Sequence, residues 1–154
     1  DGEVVAEKPL PEGLSEDQLI QEMVGFLGDQ YQTPPMFSAK KIDGVPLYKM
    51  ARKGKTVERE PRFIRINELK LEKWESPVGK FFMDCSKGTY VRTVVHDLGQ
   101  RLGCGAHLQS LRRTRIDQFD ISQSLTLEQI NEVPLGEFQN HLIPVREAVP
   151  THVL

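Results

Sequence analysis

Cys85-Ser-Lys-Gly-Thr-Tyr-Val-Arg92 runs on into Thr93-Val-Val-His-Asp-Leu-Gly99. An apolar run, Phe81-Phe82-Met83, precedes it and predicts a strand, and Gly88 breaks the pattern at a turn. Thr89 is a fair N-cap, and Val91, Val94, Val95, Leu98 and Leu102 recur behind it at helical spacing. The reading is strand, tight turn, helix. Tyr90 and Arg92 then stand where strand hands over to helix. Side chains there can point off the sheet edge into a cleft, and the helix N-terminus favours an anion. A Tyr ring can stack on a base, and an Arg can hold a carboxylate or phosphate in a two-pronged grip. Spacing alone equally allows an ordinary strand-turn-helix with a surface Tyr and Arg.

The 154 residues suffice for one domain with a real core. No run approaches the ~18 apolar residues of a membrane span, and no signal-peptide pattern opens the sequence. Cys85 and Cys104 lie far apart, fit no metal spacing and read as reduced thiols of a cytoplasmic protein. His96, His107, His141 and His152 are scattered, so no metal site is expected. A start at Asp1 without Met suggests a piece of a longer protein.

The net charge of −2 conceals a strong segregation. Residues 40–115 hold 18 Lys and Arg against 8 Asp and Glu, whereas the first 39 residues hold 1 against 8 and the last 39 hold 1 against 6. A basic middle between acidic ends fits a nucleic-acid face better than surfaces that segregate by chance.

In chain order, Asp1 to Pro11 reads as the end of an acidic hairpin or loop followed by a strand-like Val-Val-Ala-Glu-Lys-Pro-Leu. Ser15-Glu-Asp-Gln18 is a capping box. Leu19, Ile20, Met23, Val24 and Leu27 follow on one helical face, closed by Gly28. Gln32-Thr-Pro-Pro-Met-Phe-Ser-Ala-Lys-Lys41 holds two prolines and predicts a stiff, extended loop. Asp43-Gly44 is a turn signal, and Leu47 to Lys53 a short helix stopped by Gly54. Apolar Pro34, Pro35, Met36, Phe37, Leu47, Tyr48 and Met50 interleave with Lys40, Lys41, Lys49, Arg52, Lys53 and Lys55. That mixture suits a lobe over residues 32–59 that grips RNA, with rings for bases and lysines for phosphates; a proline-rich connection packed on the domain is the plainer reading.

Arg62 to Trp74 alternates as a strand, with a phase change near Asn67-Glu68 that predicts a bulge. Ser76 to Gly79 is a turn and Lys80 to Cys85 the returning strand. Beyond the helix, Gly103-Cys-Gly105 forces a break. Ala106, Leu108 and Leu111 predict a second short helix ending in Leu111-Arg-Arg-Thr-Arg115. Arginines so crowded suggest a phosphate contact, or pairing with Asp117 and Asp120. Phe119 to Leu125 reads as a strand, and Thr126-Leu-Glu-Gln129 as a second capping box opening a helix stopped by Pro134.

Gln32 to Gly44, Leu47 to Arg52, Cys85 to Thr93 and Gly103 to Thr114 together strongly resemble the TruB family of pseudouridine synthases, in order and interval, over nearly the whole chain. The resemblance implies an α+β fold: a mostly antiparallel mixed sheet with flanking helices, here partial. It implies isomerisation of a T-loop uridine of tRNA to pseudouridine by base flipping and an aspartate nucleophile, without metal or organic cofactor. Tyr90 would line the flipped base, Arg92 would pair with the nucleophile, and Leu111 would pack against the base or its neighbour. Lys40, Lys41, Lys49, Arg52, Lys87, Arg112 and Arg113 would meet the RNA. The expected enzyme is cytoplasmic, binds the tRNA T-arm and is monomeric at full length.

The family's nucleophile sits in a block like G-x-L-D-x-x-A-x-G, and no Asp here has those neighbours. Asp97 comes nearest but reads as a helix residue beyond Arg92. The second family tyrosine, in a K-x-Y strand, is absent too. Residues 1–149 therefore read as the middle-to-late part of the catalytic domain, inactive alone, and 150–154 as the start of a linker to a C-terminal RNA-binding domain. Two other classes stay open: a non-catalytic RNA-binding or tRNA-folding relative, and a basic interaction module.

Overall fold

The computed structural model describes residues 4 and 6–149. These form two compact units, one running to Ser110 and one from Leu111.

The first unit is built on an antiparallel meander. Strands β1 (Gly28–Gln32), β4 (Arg62–Glu75) and β5 (Val78–Cys85) lie in the order β1-β4-β5. The inserted segment between β1 and β4 carries a small hairpin, β2 (Lys41–Ile42) with β3 (Val45–Pro46), and helix α2 (Leu47–Ala51). Asp43 and Gly44 form its turn with φ of 50° and 77°; positive φ at both central residues matches the right-handed twist of the strands.

Strand β4 changes phase twice. Ile64 and Ile66 point inward, a bulge at Ile66/Glu68 transfers the inward side to Leu69 and Leu71, and a second irregularity at Leu71/Lys73 turns Trp74 inward. The first bulge matches the expected one. On the opposite parity the rings of Tyr31 and Phe63 meet edge-on at 5.9 Å, both largely exposed.

Helices α1 (Glu16–Val24) and α3 (Val91–Arg101) cover the inward face. Leu19, Met23, Phe26, Ile66, Val94 and Leu98 form the core, flanked by Leu69, Leu71, Trp74, Phe81 and Met83. At ~25 cal/mol per Å² of apolar area removed from water, this burial is the main favourable term for the unit. The Ser15–Gln18 capping box is formed. The buried face of α1 is narrower than its spacing suggested. Ile20, Val24 and Leu27 stay exposed, the helix ends at Gly25, and Gly28 opens β1 with φ 88°. Phe26 takes the place of Leu27, with the Arg101 guanidinium 3.8 Å above its ring.

Other expectations are corrected. Residues 4 and 6–11 hold no strand, because nothing pairs with them; residues 1–3 and 5 lie outside the described residues, as do residues 150–154. Tyr90, not Thr89, occupies the N-cap of α3, and the Thr89 hydroxyl donates to the Ser86 carbonyl. No helix forms at 106–115. The Gly105 N–H donates to the Gly99 carbonyl at 2.9 Å, and a Cβ on buried Gly99 would fall on the Gly105–Ala106 backbone. This close approach fixes residues 105–110 as irregular chain.

In the second unit, β6 (Arg115–Ile116) pairs with β7 (Phe119–Asp120). The expected strand to Leu125 stops at Asp120, whose carboxylate accepts from Ser122 N at 2.9 Å and Ser122 Oγ at 2.7 Å. Such local bonds compete with strand pairing and turn the chain into a 3₁₀ turn at Ile121–Gln123. The Thr126 capping box opens α4 (Leu127–Glu132), followed by a 3₁₀ segment and α5 (Val145–Ala148).

Candidate functional site

Gln32 ends β1 and is buried, with 7% of its surface exposed. Its side chain crosses to residue 90: Tyr90 N–H donates to Gln32 Oε1 at 2.7 Å, and Gln32 Nε2 donates to the Tyr90 carbonyl at 3.2 Å. The next residues of the inserted segment, Thr33 to Phe37, cannot pair as a strand because two are prolines. Pro34 is wholly buried, and the chain turns so that Arg92 Nη2 donates to the Phe37 carbonyl. Both ends of this short loop are thus tied to the first residues of α3.

Between loop and helix lies a pocket of about 470 Å³ lined by Thr33 to Phe37, Arg59, Arg92, Thr93 and His96. Tyr90 is half-buried at its helix junction, while Arg92 is exposed. Among the described residues Arg92 has no carboxylate within ion-pairing distance; Asp97 is exposed and does not pair with it. The guanidinium is therefore anchored by a neutral acceptor with donors to spare.

The rest of the inserted segment folds back on this loop. Leu47 N–H donates to the Lys40 carbonyl at 2.8 Å and Tyr48 N–H to the Ser38 carbonyl at 3.1 Å, which ties the start of α2 down. Leu47 is fully buried, and Arg52 stands 5.4 Å from the Tyr48 ring centre. Lys49 and Arg52 come together with Lys53 and Lys55 around a cavity of about 630 Å³, whose apolar wall is Val45, Met50 and Val57. Lys40 is half-buried and Lys41 exposed on β2. Lys87 is exposed in the turn between β5 and α3.

Leu111, Arg112 and Arg113 open the second unit as irregular, exposed chain, Leu111 with 61% of its surface free. Pairing does not explain the arginines: neither they nor Arg115 form an ion pair among the described residues. The Asp120 carboxyl is nonetheless held below its usual range, chiefly by the Ser122 hydroxyl, then the Ser122 N–H, with a smaller contribution from Arg115.

Sequence reasoning passed over Gln32 as a structural clamp and took Arg59 only as the end of the expected lobe. The only signal for Gln32 is its place before Thr-Pro-Pro, where a strand must end. Arg59 stands between Glu58 and Glu60 and pairs with neither. Among the described residues no group of three or more His, Cys, Asp or Glu side chains could hold a metal ion, and no helix is long and apolar enough to cross a membrane.

The sequence and the fold resemble those of known proteins. Residues 1–91 match the family model of the TruB family pseudouridylate synthase N-terminal domain, and residues 92–149 that of the tRNA pseudouridylate synthase B C-terminal domain. The two models meet inside α3, whose core packing shows no boundary there. The tRNA pseudouridine synthase B of Opitutus terrae is 56% identical over 99% of this chain, which spans 63% of that protein. Those of Stutzerimonas stutzeri and Pseudomonas aeruginosa are each 50% identical over 86% of this chain and 43% of theirs. The chain thus spans roughly half the length of such relatives. Among solved structures, a chain of a Cbf5-Nop10-Gar1 complex superposes with a TM-score of 0.68 at 27% identity, covering 91% of this chain and 40% of that one. The antiparallel sheet and flanking helices are a partial pseudouridine-synthase fold, and with the first family model matching well over half its residues, the chain belongs to the TruB family.

Proposed function

We propose that the protein containing this sequence isomerises one T-loop uridine of tRNA to pseudouridine. The observation that supports this reading most is the clamped junction, where Tyr90 and Arg92 are tied by Gln32 and Phe37 to the proline-rich segment beside an open pocket. The target nucleotide flips out of its stack at a cost of a few kcal/mol, repaid by pocket contacts. The Tyr90 ring lines the flipped base.

Arg92 pairs with an aspartate nucleophile supplied by residues outside this sequence. An adjacent guanidinium keeps that carboxylate ionised and fixes its rotamer. The N-glycosidic bond breaks, the uracil turns, C5 bonds to C1′ of the same sugar, the C5 hydrogen leaves as a proton, and the freed N1 takes up a proton. The exchange is redox-neutral and calls for no cofactor. Leu111 packs against the base or its neighbour, while Lys40, Lys41, Lys49, Arg52, Lys87, Arg112 and Arg113 meet RNA phosphates. Residues 32–59 form a lobe that closes over the T-arm, within a catalytic-domain portion extending to residue 149. Residues 150–154 begin the linker to an RNA-binding domain. The enzyme works as a cytoplasmic monomer.

The test is to incubate an unmodified tRNA transcript with the full-length protein and, separately, with the 154-residue chain. Pseudouridine at one T-loop position with the former and none with the latter is expected. No conversion by the full-length protein overturns the reading, and conversion by the chain alone overturns the placement of the nucleophile.

A further inference from the structure

The pocket of about 470 Å³ between the Thr33–Phe37 loop and α3 has an unbalanced lining. Two guanidiniums, Arg59 and Arg92, face it together with His96, and no carboxylate does. Among the described residues neither arginine forms an ion pair. Arg92 is anchored on the Phe37 carbonyl. Arg59 has no such anchor: the side chain is half-buried, and its Nε is shut off from solvent without an acceptor. A buried charged donor left unmet costs more than a neutral one, so its persistence calls for a partner. Flanking Glu58 and Glu60 are both exposed and do not supply one. Pro34, Pro35, Met36 and Phe37 give the pocket apolar walls, which strengthen any charge interaction inside it.

We propose that this pocket is a phosphate site and that Arg59 is an RNA-binding residue, its guanidinium gripping a backbone phosphodiester of the RNA substrate beside the Arg92 junction. The proposal rests on the functional reading above. Two features favour a phosphodiester over a carboxylate from the protein. A carboxylate arriving at Arg92 neutralises one guanidinium and leaves Arg59 unmatched. The volume is also in the range that holds a nucleotide-sized group and is far larger than a carboxylate needs. Two non-bridging phosphate oxygens match the donor fork of an arginine.

The experiment measures the affinity of the full-length protein for a T-arm stem-loop RNA across a KCl series, comparing wild type with Arg59→Met and Arg59→Lys. Met keeps the apolar stem and removes the charge; Lys keeps the charge. Loss of one phosphate contact is expected to weaken binding of Arg59→Met about tenfold and to reduce the slope of log K against log salt by about one, whereas Arg59→Lys keeps the wild-type slope and binds between the two, its charge retained and its fork lost. A second measurement needs no unperturbed variant fold. Methylphosphonates placed singly around the target uridine should reveal at least one position beside that uridine whose neutralisation weakens wild-type binding. Unchanged affinity and slope in Arg59→Met, or no sensitive phosphate, overturns the proposal. So does an Arg59→Met protein that binds normally and converts slowly, because the anion is then a carboxylate of the catalytic centre. A wild-type protein that binds the RNA without converting it overturns the functional reading and leaves this test standing.

Discussion

Gln32 and Tyr90, 58 residues apart, form a closed two-bond pair in which the side-chain amide of one serves the main chain of the other. The Tyr90 carbonyl also accepts from Thr93 N–H at 3.0 Å and Val94 N–H at 3.2 Å, so it keeps donors of its own without Gln32. Among the described residues the Tyr90 N–H donates only to Gln32 Oε1. In Gln32→Leu that N–H is left unmet, at a cost of about 1–3 kcal/mol. Urea unfolding should show this as a lower midpoint with an unchanged slope, and an unchanged midpoint contradicts the clamp.

Gly99 touches the chain beyond its own helix so closely that a Cβ has no room against the Ala106 backbone nitrogen. Helix propensity alone makes Gly→Ala favourable by about 1 kcal/mol. Here overpacking against backbone reverses the sign, and Gly99→Ala should lose about 3 kcal/mol, at the upper end for such changes. Thermal unfolding decides between a gain and a loss.

Asp120 has its carboxyl pKa depressed, first by the Ser122 hydroxyl. A depressed folded-state value adds stability above the unfolded pKa, and this is lost as pH falls through the folded one. Ser122→Ala removes the largest cause and leaves the Ser122 N–H bond. The Asp120 pKa should therefore rise part of the way towards its ordinary value in an NMR titration of the carboxyl carbon. The added stability near neutral pH should shrink accordingly.

Arg92 has one donor on the Phe37 carbonyl and others free for an incoming carboxylate. A lysine ammonium offers no planar fork with which to hold both at once. In the full-length protein Arg92→Lys should lower kcat about 10²–10³-fold, the scale of losing a positioned electrostatic group, with KM little changed. A rise in KM at constant kcat assigns Arg92 to uniform RNA binding instead.

What the sequence made legible follows from where the interactions lie. Local rules read well: both capping boxes, the Asp43-Gly44 hairpin and the first bulge of β4 each depend on residues a few positions apart. The second phase change, between Leu71 and Trp74, went unread although it has the same three-residue step. Strand β1 escaped notice because Gly28-Asp-Gln-Tyr-Gln32 lacks apolar alternation; its register comes from β4. The helix expected from Ala106 to Arg115 failed for a tertiary reason, the approach of Gly105 and Ala106 to Gly99. At the site, residue types and order marked Tyr90 and Arg92. The Gln32 clamp and the isolation of Arg59 depend on chain-distant packing that no periodicity encodes.

The most direct test of the central claim is tritium release from a tRNA carrying [5-³H]uridine, because forming the C5–C1′ bond expels the C5 hydrogen. With excess full-length protein, one equivalent per tRNA should be released from the T-loop, and Tyr90→Leu and Arg92→Lys should each slow release without abolishing RNA binding. No release by the wild-type protein, or release that neither substitution slows, contradicts the account.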